Sequence, residues 1–431
     1  MGRGFGAVQT PSGRHRKLAS HSKESEMPSL FDPIRIGAFT AANRIFMAPL
    51  TRGRATHDHV PTPLMADYYA QRAGAGLIIS EATGISREGS GFPYAPGIWT
   101  EAQVQAWKPV TAAVHVAGGR IALQLWHMGR LVHPSFVDGA SPVSASATTA
   151  PGQAHTYHGK QPFARARPMT LDDIRRLLDD YALAARNAIA AGFDGVQIHA
   201  ANGYLIDQFL RDNCNRRDDA YGGSVSNRIR LLTEITQRVV DAVGADRTGV
   251  RLSPNGEVQG INDSHPEILF PAAAAALDAL DVAYLALREP RRDGTFGQAD
   301  SPPVHPAIRK VFRGLLILNS DYTLAQAQAA LDAGQADAIA FGRAFVANPD
   351  LPRRLAEHLP LAVGDMASWY SQGARGYTDY PDAPEEGLAP ALPARRQRDT
   401  GTLHLRVGAV AAACSLGPAL DTIASPDSRC R

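Results

Sequence analysis

Three hydrogen-bonding side chains follow one short apolar run of this chain. The run is Gly195 to Ile198, and behind it come His199, Asn202 and Tyr204. A few consecutive apolar residues are typical of a strand that is buried on both faces. Barrel enzymes place their chemistry at such strand ends, where the loops form an open mouth. The segment therefore predicts a catalytic site, although a histidine or an Asn-Gly turn alone is often structural.

Other apolar runs also end in residues that can bind a ligand. These residues are Pro49, Leu50 and Thr51 after the first run, Glu81 and Ala82 after the second, Gln124 to His127 at the third, Arg251 at the fifth, Asn319 and Ser320 after the seventh, and Gly342 and Arg343 after the eighth. Barrels commonly bind phosphate after their last two strands, because backbone N–H groups and a short helix N-terminus meet the anion there. A phosphorylated ligand is expected, with a structural ion pair of Arg343 as the alternative.

Eight apolar runs recur along the chain with amphipathic segments between them. The runs are Arg44 to Ala48, Leu77 to Ser80, Ile121 to Gln124, Gly195 to Ile198, Thr248 to Leu252, Val282 to Leu287, Leu315 to Leu318 and Ala338 to Phe341. Helical spacing is clearest in Leu171 to Ala191, behind the capping residue Thr170, and in Asn227 to Val243. This alternation predicts an α/β fold, a (β/α)₈ TIM barrel, with a doubly wound sheet as the less favoured alternative.

Two longer segments and the two chain ends interrupt the repeat. Gly129 to Met169 and Glu289 to Val304 both follow strands, so both are expected to overhang the barrel mouth. Residues 1–27 are basic and are predicted to form a disordered extension, with an organelle transit peptide as the alternative. Residues 28–381 are expected to form the barrel as one domain. Residues 382–431, rich in Ala, Pro and Arg, are expected to be a low-complexity tail.

The composition excludes several classes of protein. With 44 basic and 42 acidic residues among 431, the net charge of +2 provides no field that would attract nucleic acid or a membrane surface. Cys214, Cys414 and Cys430 are far apart and indicate neither a disulfide framework nor a metal or iron–sulfur site. No apolar run reaches the roughly 20 residues of a membrane helix. These features favour a soluble protein of the reducing cytoplasm.

Seven motifs, in order along the chain, share one resemblance. They are Asn43–Arg52, Leu77–Thr83, Leu123–Arg130, His199–Tyr204, Asn227–Arg228, Ala340–Arg343 and Gly376–Pro381. The similarity runs from about Ser29 to Pro381 and is to the Old Yellow Enzyme family of flavin oxidoreductases, in particular its N-ethylmaleimide reductase-like branch of alkene reductases. Another branch of the family has a cysteine where Thr51 stands.

The resemblance implies a non-covalently bound FMN across the barrel mouth. Its contacts would be Pro49, Leu50, Thr51, Ala82, Gln124 and Arg251 around the isoalloxazine, and Asn319, Ser320, Gly342 and Arg343 at the phosphate. An amide such as that of Gln124 offers both a donor and an acceptor to the pyrimidine edge, and Arg251 would place positive charge near N1. The hydroxyl of Thr51 would hydrogen-bond near O4.

The resemblance also implies an alkene reductase with NAD(P)H as the reductant. Hydride would pass from flavin N5 to the β-carbon of an electrophilic alkene such as an enone or a maleimide. His199 and Asn202 would hold the substrate oxygen, and each such donor typically stabilises the developing enolate by roughly 3 kcal/mol. Tyr204 would protonate the α-carbon. Three aromatic residues, Phe92, Trp126 and Tyr370, would form the wall of the substrate pocket.

Two segments depart from the family pattern. Leu318–Tyr322 replaces a glycine-rich turn, which leaves less backbone freedom for a phosphate. Arg291, Arg292 and Asp293 lie where relatives place an aromatic lid residue, so smaller, more polar or anionic substrates are expected.

Several alternatives stay open at this point. Within the family, the acceptor could be a quinone or a nitroester, or the protein could be a non-catalytic redox sensor. Outside it, an aldolase or isomerase would need a Schiff-base lysine or paired carboxylates at strand ends, and Lys108, Lys160 and Lys310 do not follow strands. Relatives with an iron–sulfur cluster need clustered cysteines. The sequence determines neither the physiological substrate nor the choice between NADPH and NADH. The oligomeric state, a monomer or a small homo-oligomer, is also left open.

Overall fold

The computed structural model describes residues 1–2, 27–294, 298–299 and 301–384. Contacts between residues divide the chain into two units, Met1–Ala383 and Pro384–Arg431, and the fold described below belongs to the first. The predicted extension over 1–27 and the predicted tail over 382–431 lie almost entirely outside the described residues, and both stay predictions.

Eight parallel strands form the centre of the fold. They are β1 (Ile45–Met47), β2 (Ile78–Ile79), β3 (Ile121–Trp126), β4 (Gly195–His199), β5 (Thr248–Leu252), β6 (Tyr284–Arg288), β7 (Leu315–Asn319) and β8 (Ala338–Phe341). Each strand pairs in parallel with the next, and β8 pairs with β1 through Ile339 opposite Ile45. The ring is therefore closed, which confirms the predicted barrel and excludes a doubly wound sheet.

Helices connect the barrel strands. The α-helices are Pro63–Ala70, Glu101–Val116, Leu171–Ala190, Leu205–Leu210, Val225–Arg228, Arg230–Val243, Pro266–Asp278, His305–Val311, Leu324–Asp332, Arg343–Ala347 and Leu351–Ala356, and the 3₁₀ turns are Gly129–Leu131, Pro134–Phe136, Ala245–Arg247 and Met366–Ser368. The predicted cap is confirmed, because Thr170 and Asp173 form a capping box. The helix expected over 227–243 is two helices. Within the described ranges, no helix has the length and apolarity to cross a membrane.

The fold also contains short strands that are not part of the eight-stranded ring. They are Thr83–Gly84, which pairs with the end of β3, the antiparallel pairs Ile34–Ile36 with Phe39–Ala41 and Gln153–Thr156 with Gly159–Pro162, and the parallel pair Val143–Ser144 with Arg167–Pro168. The hairpin Gln153–Pro162 belongs to the first of the two long segments, and its residues reach the barrel mouth. The prediction that this segment overhangs the mouth is therefore confirmed.

The barrel interior is filled by side chains from the strands. Phe46, Tyr284 and Ile317 are buried together there. Gly249 makes room for one of them, since a Cβ at this position would lie 2.1 Å from Cζ of Tyr284. A second, larger core between the strands and the helices is apolar and explains why the strands are hydrophobic on both faces. The rigid interior leaves only the strand ends free to carry chemistry.

Candidate active site

A cavity of about 500 Å³ opens at the carboxyl ends of the strands. It brings together most of the predicted site residues, namely Pro49, Leu50, Thr51, Phe92, Trp126, Asn202, Tyr204, Arg251, Asn319, Ser320, Gly342, Arg343 and Tyr370. These residues come from seven strand ends or the loops that follow them, and from residues 357–383, which we call the C-terminal segment. The closed ring of strands places them around one space.

Three predicted site residues lie beside the cavity and do not line it. The ring of His199 packs edge-on against Tyr204, with centroids 4.9 Å apart. Ala82 is buried in the same apolar cluster as Trp126. The amide Nε2 of Gln124 donates to Oε1 of Gln197 at 2.8 Å, inside the barrel. His199 and Ala82 thus lie next to residues that line the cavity, and the proposed ligand contacts of all three stay proposals.

A buried network fixes the turn that carries Asn202. Its backbone has φ of +59°, a left-handed conformation that asparagine tolerates better than most residues. The N–H of Asn202 donates to Oγ of Ser253 at 2.8 Å, and the N–H of Gly203 donates to Asp207 at 3.0 Å. Asp207 is in turn held by Arg211 at 2.8 Å, with both side chains almost fully buried. The backbone position of Asn202 is therefore set by contacts with other parts of the fold and not by the loop alone.

Burial determines the protonation states of the candidate catalytic groups. It holds the pKa of His199 well below the ordinary value, and the positive charge of Arg251 lowers it further. Burial also raises the pKa of Tyr204. At neutral pH the site therefore presents a neutral imidazole beside a protonated phenol. Among the described residues, His199 Nδ1 and Asn202 Oδ1 are buried atoms without a hydrogen-bond partner.

The side of the cavity formed by β5 to β8 is cationic. Arg251 donates through Nη2 to Oδ1 of Asn319 at 2.8 Å, and Asn319 donates to the carbonyl of Ala340 at 2.7 Å. Burial and the charge of Arg288 lower the pKa of Arg251 to about 9, which still leaves it protonated at neutral pH. Arg251 Nε is buried and has no partner in the part of the chain that the structure describes. This side can therefore hold an anionic group.

Of the four residues expected at a phosphate, the two that follow β8 behave differently from each other. A Cβ at Gly342 would make an ordinary van der Waals contact with the side chain of Leu50, at 3.5 Å, so a side chain at this position is not excluded by a clash. Arg343 forms an ion pair with Asp321, so the structural alternative named for it is observed. Asp321 itself has φ of +43°, so the turn after β7 adopts a left-handed conformation without a glycine. The reduced backbone freedom expected for this turn stays a prediction.

The opposite side of the cavity is largely apolar and aromatic. Trp126 meets Tyr204 edge-on with centroids 5.0 Å apart, and Phe92 lies 5.5 Å from Tyr370. Sequence reasoning missed other lining residues of the cavity, which are Arg52, Met128, Leu131, Gln153, Ala154, His155, Phe163, Val258, Gln259, Arg288, Asp321, Val346 and Trp369. Arg288 is the last residue of β6 and Arg251 the penultimate residue of β5, so the same strand-end rule would have found it. The hairpin residues carry no such signal.

The segment Arg291–Asp293 contributes nothing to the described cavity wall. Arg291 instead pairs with Asp293 at 3.1 Å. The prediction that these charges favour polar or anionic substrates therefore has no support in the structure. Within the described part of the second long segment, no residue from Glu289 to Val304 lines the cavity.

Two buried arginines attach the C-terminal segment to the loop after β1. Arg54 donates to the carbonyls of Trp369 at 2.7 Å and Ser368 at 3.0 Å, and Arg52 donates to the carbonyl of Gly376 at 2.7 Å. We call Arg52 and Arg54 the arginine clamp. Because the loop also carries Pro49 to Thr51 and the segment carries Tyr370, the clamp joins two parts of the cavity wall.

The residues of this cavity fit a flavin mononucleotide. One side offers arginines with a buried, unpartnered Arg251 Nε, and the other offers flat aromatic groups and the unpartnered polar atoms of His199 and Asn202. A phosphate tail needs the first side, and a ring system with a stacked substrate needs the second. No group of His, Cys, Asp and Glu side chains that could hold a metal ion occurs among the residues described.

Known proteins match the chain over most of its length. The model of the NADH:flavin oxidoreductase / NADH oxidase family matches residues 29–362. Flavin oxidoreductase hxnT of Emericella nidulans is 42% identical, over 83% of this chain and 99% of its own length. A solved Old Yellow Enzyme homologue from Zymomonas mobilis is 65% identical with a TM-score of 0.81, over 82% of this chain and 99% of that one. Morphinone reductase is 44% identical with a TM-score of 0.79, over 83% and 97%.

The family match agrees with the barrel, the cationic side and the flat aromatic side. The motif-based recognition is confirmed, as are FMN as the cofactor and NAD(P)H as the reductant. This chain is an NAD(P)H-dependent, FMN-binding oxidoreductase and belongs to the NADH:flavin oxidoreductase / NADH oxidase family, the Old Yellow Enzyme family.

Proposed function

We propose that this protein is an alkene reductase that acts on electrophilic alkenes. The observation that carries the proposal is the group formed by His199, Asn202 and Tyr204, a neutral imidazole and an amide with unpartnered buried atoms next to a protonated phenol. Such a group suits a carbonyl oxygen that gains negative charge while a neighbouring carbon takes up a proton.

When bound, FMN accepts hydride from NAD(P)H and delivers it to the alkene. The residues that would hold it are Arg251 and the loop Pro49–Thr51 at the ring system, with Ala82 beside it. Asn319, Ser320, Gly342 and Arg343 would hold the phosphate. Gln124, hydrogen-bonded to Gln197 here, stays a proposed contact to the pyrimidine edge.

His199 and Asn202 would bind the substrate oxygen. A neutral imidazole donates a hydrogen bond through its single N–H and does not lose that proton near neutral pH, so it can stabilise negative charge without changing its own charge. The hydrogen-bonded turn fixes the backbone from which the Asn202 side chain projects, so less of the residue has to be ordered when the substrate binds. Tyr204 would then transfer its phenolic proton to the α-carbon, and solvent would restore it.

The substrate side of the cavity favours neutral, ring-shaped acceptors. Phe92, Trp126, Phe163 and Tyr370 supply flat apolar surface, while the arginines lie on the cofactor side. Similar proteins carry names of reductases for morphinone, 12-oxophytodienoate and chanoclavine-I aldehyde, and morphinone reductase has been solved with tetrahydroNAD. These names support carbonyl-bearing organic substrates such as enones and maleimides for this chain.

Anaerobic visible spectra of the purified protein test the proposal. Addition of NADPH should bleach the yellow flavin absorption, and addition of 2-cyclohexenone should restore it. Bleaching without recovery would leave a flavoprotein with a different acceptor, such as a quinone or a nitroester, and would contradict the proposed function.

Substitution Tyr204→Phe tests the proton donor in the same experiment. It should leave bleaching by NADPH unchanged and slow the recovery by 2-cyclohexenone by roughly 10²- to 10⁴-fold, the usual contribution of a general acid. Tyr221→Phe is the matched control, because this hydroxyl donates to Glu234 at 2.8 Å outside the cavity. Recovery at the wild-type rate in Tyr204→Phe would remove the assigned role.

A further inference from the structure

One acidic side chain lies on the cationic side of the cavity. Asp321 follows β7 in a left-handed turn with φ of +43° and forms an ion pair with Arg343. Its charge also reaches Arg288, since burial lowers the pKa of Arg288 and the Asp321 carboxylate partly raises it again. A single carboxylate therefore faces two guanidinium groups.

In the described part of the cavity wall, arginines outnumber acids, so the negative charge of Asp321 is opposed by several positive charges. Within the described ranges, the wall contains Arg52, Arg251, Arg288 and Arg343, and its one acid is Asp321. Three of these arginines lie at or just after the carboxyl ends of β5, β6 and β8, so they would repel one another without a counter-charge. A phosphate ester carries between one and two negative charges near neutral pH and would interact with the same guanidinium groups.

We propose that Asp321 is an internal counter-anion, which neutralises Arg343 in the flavin-free protein and is displaced from it by the phosphate of FMN. This inference rests on the proposed phosphate site. Its consequence is that Asp321 sets the affinity for the phosphate end of the cofactor: it stabilises the flavin-free chain and weakens FMN binding, because its charge competes with the phosphate for Arg343.

The geometry makes the competition effective. The side chains of Asp321 and Arg343 are 21% and 34% exposed, so water screens their interaction only in part. Asn tolerates the left-handed conformation at least as well as Asp. The substitution Asp321→Asn therefore removes the charge and leaves the backbone of the turn in place, which separates an electrostatic effect from a conformational one.

The test compares FMN with riboflavin, which lacks the phosphate. Dissociation constants are measured from flavin fluorescence, for FMN on dilution of the holoenzyme and for riboflavin after rebinding to the stripped full-length chain. We expect Asp321→Asn to bind FMN roughly tenfold more tightly and riboflavin with unchanged affinity. The gain for FMN should shrink in high salt. Thermal unfolding of the flavin-free variant should occur at a lower temperature than that of the wild type.

Matched variants make the result decisive. Asp332→Asn removes the same charge from the exposed end of helix Leu324–Asp332 and should change neither constant. In an Arg343→Ala background, Asp321→Asn should tighten FMN much less than in the wild type, with only the smaller contribution through Arg288 left. Weaker FMN binding by Asp321→Asn would show that Asp321 orients Arg343, and an equal change for riboflavin would show an effect of the turn. Both results would overturn the inference, whereas a wild-type protein without bound FMN would overturn the proposed function itself.

Discussion

At the scale of single residues, burial decides which chemistry the site can perform. His199 has a depressed pKa because it is buried and faces the charge of Arg251. It therefore remains neutral well below the usual titration range of histidine. Tyr204 has a raised pKa because it is buried, so it remains protonated above neutral pH. Neither group changes its charge across the physiological range.

This pairing predicts a flat pH profile for reoxidation of the flavin by an enone. Between pH 6 and 8 the rate should vary by less than about twofold, although an exposed histidine would titrate near 6.5. The window ends at pH 8 because Arg251, whose pKa is lowered to about 9, begins to lose its charge above it. Stopped-flow traces of reduced enzyme mixed with 2-cyclohexenone measure this rate without the step that uses NADPH. A tenfold loss of rate on the acidic side would mean that His199 protonates and that its environment is wetter than the structure indicates.

Residue types at strand ends were sufficient to predict much of this site. His199, Asn202, Tyr204, Arg251 and Arg343 could be found because each ends or closely follows an apolar run. The residues that sequence reasoning missed are of another kind. Phe163 and His155 come from the overhanging segment, whose sequence has no periodicity that would predict their position. The importance of the Asp321 carboxylate could not be predicted because the arginines around it come from other strands and meet it only in the folded chain.

At the scale of elements, the arginine clamp couples the first barrel loop to the C-terminal segment. The guanidinium of Arg54 also lies over the ring of Tyr377, 4.6 Å from its centroid, and the carboxylate of Glu81 accepts the N–H of Arg52 at 3.1 Å. Carbonyl oxygens of the segment, rather than side chains, accept most of the hydrogen bonds. The clamp thus positions the backbone that carries Tyr370.

Substitution Arg54→Lys should loosen this segment. A lysine cannot reach several carbonyls in the fork geometry of a guanidinium. Loss of about one charge-assisted hydrogen bond, ~1.5 kcal/mol, corresponds to a roughly tenfold rise in KM for 2-cyclohexenone. The FMN content should stay constant. Trypsin cleavage after the exposed Arg375 should accelerate, as mass spectrometry of the fragments would show. Arg238→Lys on an outer helix is the control, and unchanged KM and cleavage would contradict the positioning role.

At the scale of the whole molecule, buried neutral histidines link stability to pH. Burial lowers the pKa of His127 to about 3, and its Nδ1 accepts the N–H of Gly129 at 3.1 Å. The unfolded chain takes up a proton on this ring near pH 6.5 while the folded chain does not. The stability that this residue contributes is therefore complete above pH 6.5 and is lost as the pH falls toward the folded pKa.

We expect His127 to account for about 1.4 kcal/mol of the stability lost between pH 7.5 and pH 5.5. Urea unfolding of the wild type and of His127→Asn at both pH values measures it, since an asparagine oxygen can also accept a backbone N–H but does not titrate. The variant should lose less stability on acidification by about this amount. Equal losses in the two proteins would show that His127 is protonated in the folded state.

The barrel itself could be predicted from the sequence because eight buried parallel strands leave a repeated apolar pattern. Its closure could not be read from any one run, since β8 and β1 meet only in space. The ends of the strands were predicted less accurately than their existence. β3 extends to Trp126 and β6 to Arg288, beyond the apolar runs from which these strands were predicted. Polar and aromatic residues at strand ends continue the hydrogen bonding although their side chains turn to the cavity.

The division of the cavity into a strand-built side and a loop-built side has an evolutionary consequence. Changes in length or composition of the hairpin Gln153–Pro162 would alter the side of the cavity where we propose that the acceptor binds, and they would leave Arg251, near the end of β5, in place. Loops tolerate insertion and deletion far better than barrel strands do. A lineage with this architecture can therefore acquire new acceptors in small steps, while the electron-donating half of the reaction is inherited unchanged.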